Sequence, residues 1–188
     1  MDESVTLFEY IPAEISVIIV SYLGPIESVI MANICHVSRA IVKKMFRNCF
    51  IPKNKFVANV AEIGYLNVVK WARENNCLWD DLTCSGAARG GHLEVLKWAR
   101  ALGCEWNGNT CYGASKGGHL EVLKWARENQ CPWDCCTCSG AAQGGHLEVL
   151  KWARENQCPW DSHTCTNAAD GGHLEILKWA RAHGCPEN

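Results

Sequence analysis

At 188 residues, 48% hydrophobic and 20% charged, the chain has room for one ordinary domain, or for a small domain plus a short array. A formal net charge of −2, with acids and bases alternating instead of forming blocks, leaves no electrostatic footprint for nucleic acid. The opening stretch MDESVTLFEYIPAE is acidic where a secretory signal is basic, and the best apolar run, 15–23, is too short to span a bilayer. The expectation is a soluble protein of a reducing, cytoplasmic compartment.

The first fifty residues read as three short helices. Pro12 suits a helix's first turn, where its missing N–H costs nothing, and Glu14 suits the positive end of the dipole. Ile15, Ile18, Ile19 and Tyr22 then make an apolar stripe at helical spacing, until Gly24-Pro25 stops it. A second helix is expected over 27–34, with Val29, Ile30, Ala32 and Asn33, and a third over 38–47, ending in Lys43, Lys44 and Arg47. A segment of this size buries too little to stand alone, so it should pack on a partner, on the rest of the chain, or on both.

The strings Ile11-Pro12-x-Glu14-Ile15, Ile18-Ile19, Tyr22-Leu23-x-Pro25 and Ile34-Cys35-His36-x-Ser38-Arg39 resemble an F-box over residues 9–48. Two positions depart: Ser38 stands where that family usually has Trp, and His36 replaces an Arg. The resemblance implies docking on the Skp-type adaptor of a cullin–RING ubiquitin ligase through Ile11, Pro12, Ile15, Ile18 and Leu23. The residues alone also fit a generic helical cap for the remainder of the chain.

From about residue 51 the chain keeps time. GHLEVLKWAR appears at 91–100, 118–127 and 145–154, as GHLEILKWAR at 172–181 and as GYLNVVKWAR at 64–73. Trp71, Trp98, Trp125, Trp152 and Trp179 are each 27 residues apart, as are His92, His119, His146 and His173. A fixed period of this length means one supersecondary unit stacked into an array. In the copy 80–106, Thr83 reads as an N-cap, and Cys84, Ala87 and Ala88 share one helical face with side chains small enough for close approach. Gly90-Gly91 ends this helix.

The second helix, over about 92–102, carries Trp98, Val95, Ala99, Leu96 and Leu93 on more than half its circumference, leaving Lys97 and Glu94 a narrow polar strip. So wide an arc implies burial both on its own partner helix and on adjacent copies, which makes this decapeptide the expected stacking element. Glu94 and Arg100 suit the two ends of its dipole. Trp106, Asn107 and Gly108 form a short connector to the next cap, Thr110. The fold class expected is all-α: a short helical domain at 1–50 followed by an α-solenoid of five helix-turn-helix units at 51–188.

The run Ala87-Ala88-Arg89-Gly90-Gly91-His92-Leu93-Glu94-Val95-Leu96 resembles the core of an ankyrin repeat, with Thr83-Cys84 near that family's Thr-Pro. The period of 27 is shorter than the family's 33, and its Thr-Pro-Leu-His tetrapeptide is absent, so the hairpin finger should be shortened or lost. Such copies behind an F-box are similar to proteins encoded by giant viruses of amoebae; a viral origin would place the chain in the host cytoplasm or nucleus. The first copy has Phe56 in place of the capping Thr and Val57, Val60 and Ala61 at the small-residue positions, as an N-terminal capping copy should. The last copy keeps the internal pattern in Leu174, Ile176, Leu177 and Trp179, so an exposed apolar face is expected there, with Trp179 less buried than Trp125.

The chemistry-bearing residues follow the same period. Thirteen cysteines, an odd number without a secretion signal, argue against a disulfide framework. Cys77, Cys104, Cys131, Cys158 and Cys185 form one series and Cys84, Cys111, Cys138 and Cys165 another, behaving as small hydrophobes. The four histidines lie on successive layers about 10 Å apart, too far to share a metal, and are expected to make turn and capping hydrogen bonds. Cys131, Cys135, Cys136 and Cys138 fall within eight residues and leave a metal or redox site open as an alternative. The nine tryptophans are expected to pack between layers. No phosphate loop, no Ser/His/Asp arrangement and no cofactor motif is legible, so no catalytic group and no cofactor are expected.

Positions that vary among copies cannot be needed for stacking. They are the connector tips Asp81-Leu82, Gly108-Asn109, Cys135-Cys136 and Ser162-His163, and the first-helix positions Ser85, Tyr112, Ser139, Thr166 and Arg89, Lys116, Gln143, Asp170. From these, Asp81, Leu82, Arg89, Asn109, Tyr112, Lys116, Gln143, Ser162, His163 and Asp170 are the candidate target-binding residues. Solvated drift explains the same variation. The expected function is a protein–protein adaptor, a recruiting F-box subunit whose repeats hold a target for ubiquitination; a plain ankyrin-like scaffold and a metal or redox protein are the alternatives.

Overall fold

The computed structural model describes residues 53–74 and 77–187. The F-box-like segment, with Ile11, Pro12, Ile15, Ile18 and Leu23, lies outside the described residues. Within them there are ten α-helices and no strand. In chain order they are α1 (Lys53–Ile63), α2 (Leu66–Glu74), α3 (Asp81–Arg89), α4 (Leu93–Ala101), α5 (Gly108–Lys116), α6 (Leu120–Glu128), α7 (Cys135–Gly144), α8 (Leu147–Glu155), α9 (Ser162–Asp170) and α10 (Leu174–Ala182). They form five antiparallel pairs, one per 27-residue copy. The inner helices α1, α3, α5, α7 and α9 pack side by side, and each outer helix packs on the inner helix of its own copy.

The inner helices begin three residues before the expected cap. Asp80, Asn107, Asp134 and Asp161 hold extended backbone, and their side chains accept from the N–H groups of Leu82, Asn109, Cys136 and His163 at 2.9–3.1 Å. Thr83, Thr110, Thr137 and Thr164 are therefore not caps; they lie inside the first turn, fully buried. Starting at the acidic or amide residue adds a turn of helix and leaves the threonine methyl in the core. It also moves Asp81-Leu82, Asn109, Cys135-Cys136 and Ser162-His163 from connector tips into the first turns of helices.

Stacking is carried chiefly by the inner helices and not by the decapeptide. A Cβ added at Gly86 would stand 2.5 Å from the Ala58 carbonyl oxygen, and one at Gly113 2.7 Å from that of Ser85. Only a hydrogen at those positions lets neighbouring backbones come so close. Cys84, Ala87, Ala88 and their counterparts in α5 and α7 fill the space between, out of reach of solvent. The outer helices bury Val95, Leu96 and Ala99, and the same triplet in α6 and α8, against their own inner helix. Their second flank is only half-buried and meets the neighbouring copy through tryptophan. The bulk of Leu93 and Trp98 holds these helices apart where Gly and Ala draw the inner ones together.

The tryptophans do pack between copies. Each connector ring meets an outer-helix ring edge to face: Trp79 with Trp98, Trp106 with Trp125, Trp133 with Trp152 and Trp160 with Trp179, at centroid distances of 5.7–6.0 Å. An arginine closes each step. Arg100, Arg127 and Arg154 lie 4.2 Å over Trp106, Trp133 and Trp160 while donating to the carbonyls of Cys104, Cys131 and Cys158.

The histidines also bridge copies instead of capping their own helices. None of His92, His119, His146 and His173 makes a side-chain cap hydrogen bond. Their rings lie over Gly64, Gly91, Gly118 and Gly145 of the preceding copy, the last three with φ of +78°, +78° and +81°. The His119 Nε2 is 2.9 Å from the Arg89 carbonyl, and the His173 Nε2 is 3.2 Å from that of Gln143. Burial pushes the His119 pKa down, against the hydrogen bond to Arg89, so its ring favours the neutral form.

At the two ends the copies differ. Phe56, Val57, Val60 and Ala61 are buried at the places expected for the first copy. In the last copy Leu174 is 62% exposed, and Ala169 is exposed where Ala88 and Ala142 are fully buried. Trp179, however, is half-buried like Trp125, and Ile176 is buried. Trp179 packs backward onto Trp160 and stacks on His183 at 4.2 Å, so it does not mark the open face; Leu174, Leu177 and Ala169 do.

Candidate functional site on the inner helices

Three inner helices, α5, α7 and α9, bring together one groove of about 430 Å³, lined by Asn109, Tyr112, Cys135, Cys136, Ser139, Asp161, His163 and Asn167. Every lining residue comes from the start or the first two turns of its helix. The groove therefore exists because the Asx caps place each helix start at the same height on successive copies. Tyr112 supplies the one aromatic wall, standing where the other copies carry Ser85, Ser139 and Thr166. Its hydroxyl donates to the Gln143 Oε1 at 3.0 Å, and the Lys116 ammonium lies 5.8 Å from its ring.

At the far wall Asp161 gathers donors. Its carboxylate caps His163 N–H at 3.1 Å, stands 3.3 Å from His163 Nδ1, and accepts from the Cys135 thiol. Partial burial opposes its charge, but these donors outweigh burial and hold the carboxyl below its ordinary range. The same bond to Asp161, with burial, pushes the Cys135 thiol up to about 11, and burial beside Asp134 raises Cys136. Both thiols are held protonated at neutral pH, the opposite of the activation a nucleophilic cysteine requires. The arrangement suits hydrogen bonding to a partner's polar side chain beside an aromatic face.

Of the ten candidate target-binding residues, Asn109, Tyr112 and His163 line this groove, and Gln143 and Lys116 hold Tyr112 from behind. Asp81 and Leu82 lie on the same side one copy away, where Asp81 accepts from Asn107 Nδ2 at 2.6 Å. Arg89 is at the opposite helix end and pairs with Glu62 at 3.7 Å. Asp170 is exposed at the C-terminal end of α9, and Ser162 faces a smaller hollow of about 250 Å³ against Leu177 and Arg181. Cys135, Cys136, Ser139, Asp161 and Asn167 join the groove without being among those ten. Asp161 is legible in the sequence as a cap; the others line the groove only because three helices meet.

The four thiols at 131–138 do not converge. Cys131 and Cys138 are buried in the two periodic series, whereas Cys135 is half-buried and Cys136 exposed. Among the described residues no group of three or more His, Cys, Asp or Glu side chains is placed to hold a metal, and no helix is long and apolar enough to cross a membrane. No protein-family model matches the chain, and no curated protein matches it.

Proposed function

We propose that the helical array is an ankyrin-like protein-binding module that takes up a target through the groove over α5, α7 and α9. The observation that supports this reading is the division of labour within the copies. Residues that make the joints (Gly86, Gly113, the histidines, the tryptophans) repeat in most copies, whereas the groove positions of Asn109, Tyr112, Cys135 and His163 differ from copy to copy; Asp161 lines the groove as a cap that the copies share. A surface freed from packing and furnished with Tyr112, Asn109 and His163, beside the cap carboxylate of Asp161, is what a specific partner would need. On the resemblance of residues 9–48 to an F-box, the chain is a recruiting subunit without catalytic groups of its own. That segment would bind a Skp-type adaptor through Ile11, Pro12, Ile15, Ile18 and Leu23, and the groove would present the target for ubiquitination.

Pull-down of the intact chain with a Skp-type adaptor tests the recruiting half. Capture by the wild type and loss in an Ile15→Asp, Leu23→Asp double variant support it; no capture, or equal capture by both, reduces the protein to a scaffold. Replacing Tyr112 and His163 by alanine should abolish target binding and leave adaptor capture intact.

A further inference from the structure

Grouping the cysteines by the 27-residue period hides a second relation between them. In each of copies two to five, the inner-helix thiol and the connector thiol twenty residues later face each other in the core. The Cys84 and Cys138 thiols lie 4.0 Å from the carbonyl oxygens of Cys104 and Cys158, and the same spacing of twenty residues sets Cys111 beside Cys131 and Cys165 beside Cys185, each helix thiol interacting with that of its connector partner. The connector thiols are further fixed by donating to the cap carbonyls of Asp80, Asn107, Asp134 and Asp161 at 3.3–3.4 Å. All eight are free thiols in this structure and all are buried.

We propose that these four pairs are oxidative cross-linking sites, each closing to one disulfide that ties an inner helix to the connector of its own copy, with hydrogen peroxide as the oxidant. The thiolate of one member of a pair attacks a peroxide oxygen, the O–O bond breaks, and the displaced hydroxide takes up the proton that thiol released, leaving a sulfenic acid and water. The other thiol then attacks that sulfur, forming the S–S bond as the S–O bond breaks and a second water leaves. Two thiols lose two electrons and two protons to one peroxide. The pairing in space serves the second step, since the resolving thiol already stands beside its partner's residue and must close to the length of an S–S bond, about 2 Å.

Two features of the structure rank the four sites. The hydrogen bond from the helix thiol pulls Cys104 and Cys131 below the ordinary cysteine pKa, and Arg100 and Arg127 act in the same direction, which favours the connector member as the attacker in those two copies; in the last copy burial and the Cys165 thiol push Cys185 up to about 12 instead. Access runs the other way. Cys165 and Cys185 are each 6% exposed on the open last copy, against 0–1% for the other six, which peroxide reaches only when a copy opens. Access dominates, because a thiol that meets no oxidant does not react, however acidic it is.

The test is peroxide treatment of the reduced native chain, quenching by alkylation at intervals, and peptide mapping by mass spectrometry. The expected result is a Cys165–Cys185 linkage first and the three interior linkages later, together with a rise in melting temperature. Cys185→Ser should remove the first linkage and spare the interior ones. Sulfinic or mixed products at the exposed Cys136 with the eight buried thiols still alkylatable on unfolding, or pairings other than these four, would overturn the proposal.

Discussion

The fourth copy, 134–160, and the fifth, 161–187, share the outer-helix pattern Leu-Glu-(Val/Ile)-Leu-Lys-Trp-Ala-Arg, yet their residues do different things. Leu150 is fully buried; its counterpart Leu177 is half-buried. Gly145 lies under the His173 ring; its counterpart Gly172 has the same left-handed backbone, φ +71°, and nothing within 4 Å of an added Cβ. The carbonyl of Gln143 is met by a histidine of the next copy. What a residue contributes is thus set by whether another copy stands beyond it, which is the nearest-neighbour behaviour of a linear array.

The contrast between these copies should be largest in the core. Leu150→Ala should cost about 3 kcal/mol in urea unfolding, whereas Leu177→Ala should cost about half as much, because water already reaches part of that site. Equal losses would mean that the last copy is covered in solution. A smaller contrast lies in the turns. Gly145→Ala forces a Cβ into the left-handed region and to 2.7 Å from the His173 ring, a loss of about 2 kcal/mol; Gly172→Ala meets only the backbone strain, about 1 kcal/mol.

Smaller still is a change that should help. Gln157 holds φ +65° where the fifth copy has Gly184 at +78°, so Gln157→Gly should raise stability by up to about 1 kcal/mol by relieving that strain. The interior joint should also be sensitive to acid. Because burial lowers the folded-state pKa of His119 below its unfolded value, the unfolded chain binds the proton first. Stability should therefore fall as pH drops through the unfolded value of about 6.5, and His119→Gln should flatten that part of the melting profile.

Much of this architecture is legible in the sequence. The period, the two helices per copy and the Gly-Gly turn come from spacing alone, because five repetitions state the same rule. The helix start is read three residues late, since Thr83 and Asp80 are both good caps, and only the competition between a buried methyl and a solvated carboxylate decides between them. The role of the histidines is illegible for a different reason. A period shows that His119 and His146 are equivalent but not that each reaches back to the copy before it. Likewise the groove depends on three helix starts meeting in space, and Cys138 and Cys158, twenty residues apart, belong to different periodic series. Interactions that cross between copies, or between the two strata of one copy, carry no signature in a repeat pattern.

The glycine–histidine joint bears on how such a chain can change over generations. Each junction is made by the same pair of surfaces, Gly91 receiving His119 and Gly118 receiving His146. Excising 107–133 would carry His146 to Gly91 with no new fit to invent, and inserting another 27 residues would likewise join like to like. The molecule is therefore indifferent to its own copy number: recombination in register is conformationally silent, and the groove can be lengthened, shortened or shuffled without redesign of the scaffold.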